Sequence, residues 1–450
     1  MHKTEEVNVG WLKKIRHRKQ QRQNNQLANL TLQTGNASAA APRILFVSHE
    51  ATRTGAPKII LNILRHFHQK TDAQLQSILH SGGFLAEDFG LYSEVDCLNI
   101  PREPSDELVR KVRKICLRYK DSPPTMAICN SMESRFIAFE LHKLGIPVTF
   151  LIHELPSSYE VQDYEQVYQA AERIIFPVDV VRAAANDKAA LPSGKCHVLP
   201  QGLLNPDFAQ SVDRETVRRQ IRQELSLPED AHIVLGCGTL DLRKGIDHFC
   251  GVARNLLNRN QSRLDRPFHF VWLGEGDRWA HTPYHYAMLD VEKSGIFKHV
   301  HFIGEREDVQ PWFMGADTFV LTSRVDPFPC VIHEAMAARL PIITFDRSGG
   351  AVESLHDGAG LVVPYADYDA MSQRILMLAG EPAIADNIRT IAEERVHQSY
   401  RFDNYANKLI EMAEQTTRRR IMMSGAQLQE ASHKDTRQEL TETIPMRRAA

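Results

Sequence analysis

Paired cysteines are missing from this 450-residue chain. Its seven cysteines (Cys97, Cys116, Cys129, Cys196, Cys237, Cys250 and Cys330) are scattered, odd in number and nowhere spaced as C-x-x-C. That usage excludes a zinc ribbon or a disulfide scaffold and fits a reducing compartment. A run of 18 or more apolar residues is also lacking, so no segment reads as a membrane-spanning helix. No apolar stretch follows the opening Met1-His2-Lys3-Thr4-Glu5-Glu6, and a cytoplasmic location is expected. Nor is there a basic excess. The net charge of −2 argues against nucleic acid as an obligatory partner, because phosphate binding needs a basic face.

What is present is ordinary for a globular chain: 43% hydrophobic and 24% charged residues, enough for a sizeable core. The two ends differ from the rest. Residues 1–41 and 416–450 are polar and rich in Gln, Asn, Thr and Arg, and they read as a disordered basic arm and a disordered tail, both dispensable for folding. Within the arm, Trp11, Leu12 and Ile15 stand at helical spacing among Lys13, Lys14, Arg16, Arg18, Lys19 and Arg22. A basic amphipathic segment can lie on an anionic membrane surface, here the inner face of the membrane; the alternative is a solvated arm.

From Arg43 the sequence alternates short apolar runs with helical patterns, the signature of a parallel sheet covered on both faces. Strands are expected at Ile44–Ser48, Gln76–Leu79, Thr125–Cys129, Pro147–Ile152 and Arg173–Pro177, with helices at Pro57–Gln69 and Asp106–Tyr119. A second series follows a charged linker: strands at Ile233–Cys237, Phe268–Leu273, Val300–Ile303, Thr318–Thr322 and Ile342–Phe345, and helices at Ile246–Asn258, Pro329–Ala338 and Asp369–Ala379. The expected architecture is α/β, with two Rossmann-like doubly wound domains at 42–204 and 205–399 facing across a cleft. Ligands bind beyond the carboxyl ends of such strands.

Chemistry concentrates in the second series. Ser323-Arg324-Val325-Asp326-Pro327-Phe328-Pro329-Cys330-Val331-Ile332-His333-Glu334 follows an apolar strand and opens a helix, with Pro329 suited to its first turn. The free backbone N–H groups around Phe328, Cys330 and Val331, with the positive end of the helix dipole, make an anion site fit for a diphosphate. Asp326 and Glu334 flank it and are suited to accept hydrogen bonds from sugar hydroxyls. Upstream, Gly236-Cys237-Gly238-Thr239-Leu240-Asp241-Leu242-Arg243-Lys244-Gly245 joins a strand to a helix. Its glycines let backbone approach a ligand, and its cations can neutralise a diphosphate leaving group.

These segments together resemble the retaining family 4 glycosyltransferases (glycosyl transferases group 1), whose fold is GT-B. The match covers about residues 43–412. Asp326 and Glu334 stand where that family has its E-x7-E motif, with Asp for the first Glu, and Ala335-Met336-Ala337 and Pro341 continue the pattern. The resemblance implies that Asp326 touches the donor sugar, Glu334 the ribose, and Lys244 the phosphates. Thr239 occupies the usual place of an arginine, for which Arg243 is the substitute at hand. The loop after the strand ending at Gly304 is implied to meet the base. Ser348-Gly349-Gly350 with Glu353 closes the pattern.

In the first series, Ser48-His49-Glu50-Ala51-Thr52-Arg53-Thr54-Gly55-Ala56-Pro57 resembles the family's Gly-rich loop, with Gly55 carried over and Thr54 in place of its first glycine. His153, at the end of Leu151-Ile152-His153-Glu154, is implied to contact the donor sugar; a satisfied buried histidine is the alternative. Asn130-Ser131 resembles the family's Asn-Ser turn. Asp367-Tyr368-Asp369 reads as helix capping rather than as a metal motif. A final helix, Phe402–Ala413, resembles the one that packs back on the first domain, over 400–415.

The reading that results is a retaining hexosyltransferase. It takes a UDP- or GDP-type nucleotide-diphosphate sugar and an acceptor that is a glycan, a lipid or a small molecule, and it needs neither metal nor other cofactor. Two alternatives stay open: a sugar-nucleotide epimerase of GT-B shape, and an inactive GT-B subunit that acts as a binding partner.

Overall fold

The computed structural model describes residues 41–99, 106–209, 213–259, 265–420 and 422. The membrane-surface segment of the arm and the tail from 423 lie outside the described residues.

The first domain runs β1 (Arg43–Ser48), α1 (Gly55–Lys70), β2 (Gln74–Leu79), α2 (Ala86–Tyr92), β3 (Glu94–Cys97) and α3 (Asp106–Cys116). It continues with β4 (Met126–Asn130), α4 (Arg135–Lys143), β5 (Val148–Leu151), α5 (Val161–Ala170), β6 (Arg173–Phe176), α6 (Asp179–Lys188) and β7 (Cys196–Val198). All seven strands are parallel, in the order β3-β2-β1-β4-β5-β6-β7. Successive side chains divide between two cores, as period-two alternation requires. Leu45, Val47, Cys129 and Phe150 face one, and Ile44, Phe46, Ile128 and Leu151 face the other. Burying each such side chain stabilises by about 1.5–3 kcal/mol.

The second domain begins with α7 (Arg214–Glu224), β8 (His232–Cys237), α8 (Ile246–Arg254), β9 (Phe268–Leu273), α9 (Pro283–Lys293) and β10 (Val300–Gly304). It goes on through α10 (Gln310–Gly315), β11 (Thr318–Leu321), α11 (Cys330–Ala337), β12 (Ile342–Phe345), α12 (Ala351–Leu355), β13 (Leu361–Val363), α13 (Tyr368–Gly380) and α14 (Pro382–Ser399). Its sheet is β10-β9-β8-β11-β12-β13, again parallel. The described residues from Pro42 on form one compact unit. Both sheets reverse their winding beside the first strand, between β1 and β4 and between β8 and β11. The loops after these four strands, with the one after β5, carry the candidate site.

Three strands were not expected: β3, β7 and β13. Each is an edge strand of three or four residues, too short to display an alternation. The helix expected at Ile246–Asn258 ends as an α-helix at Arg254 and continues as a wider π-type turn over Asn255–Arg259. Pro329 flanks α11 as its N-cap, with ψ 116°, instead of sitting in the first turn.

The last helix, α15 (402–420), crosses back to the first domain. Its Phe402, Tyr405, Leu409 and Met412 cover the Ile44/Phe46 face beside Ile59, Ile63 and Phe67 of α1. It runs past 415, so the tail does not begin at 416. Thr416 is buried and accepts from the Arg173 guanidinium at 2.6 Å, while Arg420 donates to the carbonyls of Pro124 and Thr125 at 2.9 and 3.1 Å. The outgoing and returning segments meet at one place, where Leu203 N–H donates to Tyr400 O at 2.8 Å.

Candidate functional site

The loop between β8 and α8 wraps the end of β11. Gly245 has φ 75°, and a Cβ there would sit 1.9 Å from the Thr322 carbonyl oxygen, so no other residue fits without moving backbone. Gly238 faces the same loop from the other end: its missing Cβ would lie 3.1 Å from Cγ and Cδ of Lys244. The lysine stem is thereby laid along the glycine, and its ammonium reaches Asp326, Nζ to Oδ2 at 2.6 Å. Asp326 is set by the strand-to-helix loop, where its N–H donates to Ser348 O at 2.7 Å and Ser323 Oγ donates to its carboxylate at 3.3 Å. Two residues expected to hold different parts of a ligand hold each other.

Arg243 is not brought into this pair. Its guanidinium lies on the exposed rim and donates to Val325 O at 3.4 Å. Thr239 donates to Asp241 Oδ2 at 2.7 Å and so orders the loop that Asp241 also braces through the Lys244 N–H.

Beyond Asp326, the chain turns into α11. The amides of Cys330 and Val331 donate to no backbone carbonyl among the described residues, as expected of a first helical turn. Phe328 contributes backbone only, because its ring packs into the core 4.8 Å from the His333 ring. Cys330 lies against Gly55 of the first domain, where a Cβ would stand 3.9 Å from its sulfur. The N-termini of α1 and α11 therefore converge, two positive helix ends pointing into one place. Burial, then the nearby Glu334 and Asp326 carboxylates, push the Cys330 thiol up to about 12, so it stays protonated. Burial raises Glu334 above the ordinary carboxylate range, opposed by the charge of Lys58 on α1.

The first-domain wall is built at the ends of β4 and β5. Asn130, wholly buried, donates to Ala56 O at 3.0 Å and accepts from His153 Nε2 at 2.7 Å. An amide oxygen can only accept, so the His153 proton sits on Nε2. Its Nδ1 is buried with no partner among the described residues. Burial, with the nearby His49, lowers His153 to about 4, and the ring is neutral at pH 7. Glu154 accepts from Ser131 Oγ and from the N–H groups of Met132 and His153 at 3.2 and 3.0 Å; burial raises its carboxyl and these bonds oppose the rise. Glu50 gathers the hydroxyls of Thr52 and Thr54 at 2.6 and 3.2 Å.

Gly304 ends β10 with φ 85°, and its carbonyl accepts from Gly274 N–H at 3.0 Å. It lies beside the Glu275–Arg278 ion pair. Glu353 joins the domains: its carboxylate caps α6 by accepting from Asp179 and Val180 N–H at 3.1 and 2.6 Å. Arg53 of the first domain and Glu307 of the second pair at 2.8 Å. Sequence reasoning missed Lys58, Glu154 and the capping role of Glu353, each of which acts through a partner distant in sequence or on a neighbouring strand. Asp367 does cap its helix, accepting from Ala370 N–H at 2.9 Å. Among the described residues no three His, Cys, Asp or Glu side chains gather in a metal-holding group. No described helix is long and apolar enough to cross a membrane.

Comparison with known proteins agrees with this layout. Residues 231–381, from β8 through α13, match the family model of glycosyl transferases group 1. The chain is 30% identical over 181 residues to the lipopolysaccharide core biosynthesis glycosyltransferase LpsE of Rhizobium meliloti, covering 40% of this chain and 47% of that protein. It is 26% identical over 266 residues to the α-D-kanosaminyltransferase of Streptomyces kanamyceticus, covering 54% and 64%. The chain thus spans about half to under two thirds of the length of these curated relatives. HepE of Anabaena, solved in complex with UDP-glucose, superposes with a TM-score of 0.71 at 16% identity, over 83% of this chain and 99% of that one. The fold is GT-B.

Proposed function

We propose that this chain, whose second domain is of the glycosyl transferases group 1 family, is a retaining, metal-independent hexosyltransferase that uses a UDP- or GDP-type sugar donor. The observation that carries the reading is the convergence of the α1 and α11 N-termini at the Gly55–Cys330 contact, flanked by Lys58 and Lys244. Four sources of positive potential meet there, and a diphosphate is the ligand that satisfies them. The two relatives named above are glycosyltransferases, and HepE holds UDP-glucose.

In this mechanism the diphosphate sits on the amides of Cys330 and Val331. Lys244 leaves Asp326 and takes the negative charge that builds on the departing phosphate oxygen, a form of stabilisation that is stronger in a closed cleft than in water. Asp326, released, accepts from sugar hydroxyls, and Glu334 accepts from the ribose. The bond between the anomeric carbon and the phosphate oxygen breaks. The acceptor oxygen bonds to the same face of that carbon, and its proton passes to the departing phosphate. Cys330 is held protonated and is no nucleophile, which favours this front-face course over a covalent intermediate. The cations and helix ends do the work a divalent ion would do. Neutral His153 offers a lone pair on Nδ1 to a sugar hydroxyl.

The test is thermal stabilisation of the full chain by UDP and GDP in EDTA, followed by assay of nucleotide diphosphate release from candidate donors. A ligand at 100 times its Kd stabilises by about 2.7 kcal/mol, which a melting curve resolves. Failure of both nucleotides to shift the melt at millimolar concentration sinks the reading. Epimer formation without nucleotide release, or binding without turnover on any donor, would assign the chain to one of the other two classes.

A further inference from the structure

On the first domain, where Arg53 reaches the second, a phenyl ring stands out of the surface. Phe84 is 78% exposed. Single exposed apolar residues are common and mean little alone. Three further facts set this one apart. Its loop is held in place: Leu85 N–H donates to Ala51 O at 2.8 Å and Ser81 N–H to His49 O at 3.1 Å. A Cβ at Gly83 (φ 151°) would sit 2.3 Å from the same Ala51 oxygen, so the two loops are in contact through backbone. The guanidinium of Arg53 then lies over the ring, 5.2 Å from its centroid. That guanidinium carries an ion pair to Glu307, whose carboxylate is 83% exposed and belongs to the opposite domain.

The chemistry of this pair is that of a replaceable contact. A solvent-exposed ion pair is weak, so a phosphate or carboxylate with its own binding surface can take the carboxylate's place. Guanidinium groups favour such anions because two N–H groups reach two oxygens. The open face of a fixed aromatic ring accepts the C–H side of a pyranose. Arg53 lies two residues before Gly55, at the entrance to the convergence of helix ends.

We infer that Arg53 and Phe84 form an acceptor site, and that the acceptor is a sugar bearing an anionic substituent. Its phosphate or carboxylate replaces Glu307 on Arg53 while its ring stacks on Phe84. The inference rests on the transferase reading, since it names the second substrate of the same cleft.

Saturation-transfer NMR on the full chain tests it, with glucose 6-phosphate, glucuronate and glucose as probes and UDP as the control. In the wild type both charged sugars should bind at least about fivefold more tightly than glucose, the size of one exposed charge contact. Phosphate alone or carboxylate alone giving the preference would identify which substituent the site takes, and either supports it. Arg53→Ala should abolish the preference, and Phe84→Ala should weaken all three sugars. Glu307→Gln should tighten the charged sugars and leave glucose unchanged, a gain that loss of structure cannot produce. Equal binding of the three sugars by wild type, or an unchanged preference in Arg53→Ala, overturns the proposal. UDP should bind all variants alike. Failure of UDP to bind wild type would instead remove the transferase reading, and the sugar series would still report on Arg53.

Discussion

Lys244 and Asp326, 82 residues apart in sequence, hold each other at 2.6 Å in the loops that follow two adjacent strands of the second sheet. Each is largely out of water, and each neutralises the other. A buried pair broken from one side leaves an uncompensated charge, which is costly.

Lys244→Ala is expected to lower turnover by about 10²–10³, the usual loss on removing one preorganised donor at a site of developing charge. The loss should fall on kcat more than on KM, because the charge arises in the transition state. Steady-state kinetics in EDTA, with and without added magnesium, check it. Near-normal kcat in a folded variant, or rescue by magnesium, would place the leaving-group site elsewhere.

Glu334→Gln should weaken UDP by about 1.5–3 kcal/mol while pyrophosphate changes little, since only a nucleoside brings hydroxyls to a carboxylate. Calorimetric titration of both ligands decides. The carboxyl of Glu334 is raised by burial, so UDP affinity should fall as pH drops, at a higher pH than an ordinary carboxylate would give. Lys58→Ala removes the charge opposing that rise, and the fall should move to higher pH still.

Acid should destabilise the fold through its buried histidines. His153, His232 and His269 are each lowered from 6.5 to about 4, with burial the largest cause. Between those values the unfolded chain binds protons that the folded chain refuses. Their stabilisation is complete above about 6.5 and is lost as pH falls towards 4, at up to about 1.4 kcal/mol per pH unit for each ring. Urea unfolding from pH 7 to 5 measures the slope. His269→Asn should flatten it; an unchanged slope would show that this ring is already charged in the fold.

Ending the chain at 415 should lower the melting temperature by roughly 2–5 °C relative to a chain ending at 422, through loss of buried Thr416 and of the two carbonyl contacts of Arg420. Calorimetry on the two lengths checks it. Equal melting would mean that the last helical turn contributes nothing to the first domain.

Most of the architecture could be read from the sequence because parallel strands buried on both faces are mainly apolar runs, as in Phe268–Leu273 and Ile342–Phe345, each interrupted by one polar residue (His269 and Thr344) and each matching its expected bounds. The edge strand Glu94–Cys97, half charged, offers no such run. The turn from Thr416 to Arg420 looked like solvated tail, since its burial depends on one threonine hydroxyl and on the reach of arginines. At the site, residue types and order pointed to an anion and to hydroxyl acceptors. The Lys244–Asp326 pairing, the Lys58 charge beside Glu334 and the Glu353 cap on α6 are contacts between segments far apart in the chain, or between domains. No local pattern encodes them.

Because α15 supplies Phe402, Tyr405, Leu409 and Met412 to the same apolar layer as the first strand, the domain that a ribosome makes first is finished last. Until the final twenty residues of the described chain emerge, the Ile44 and Phe46 side of that sheet is covered by α1 and α2 alone, while every element of the second domain is already out. On a nascent chain, the second domain should become protease-resistant no later than the first. A premature stop near residue 400 would leave part of that hydrophobic face uncovered for chaperones to bind.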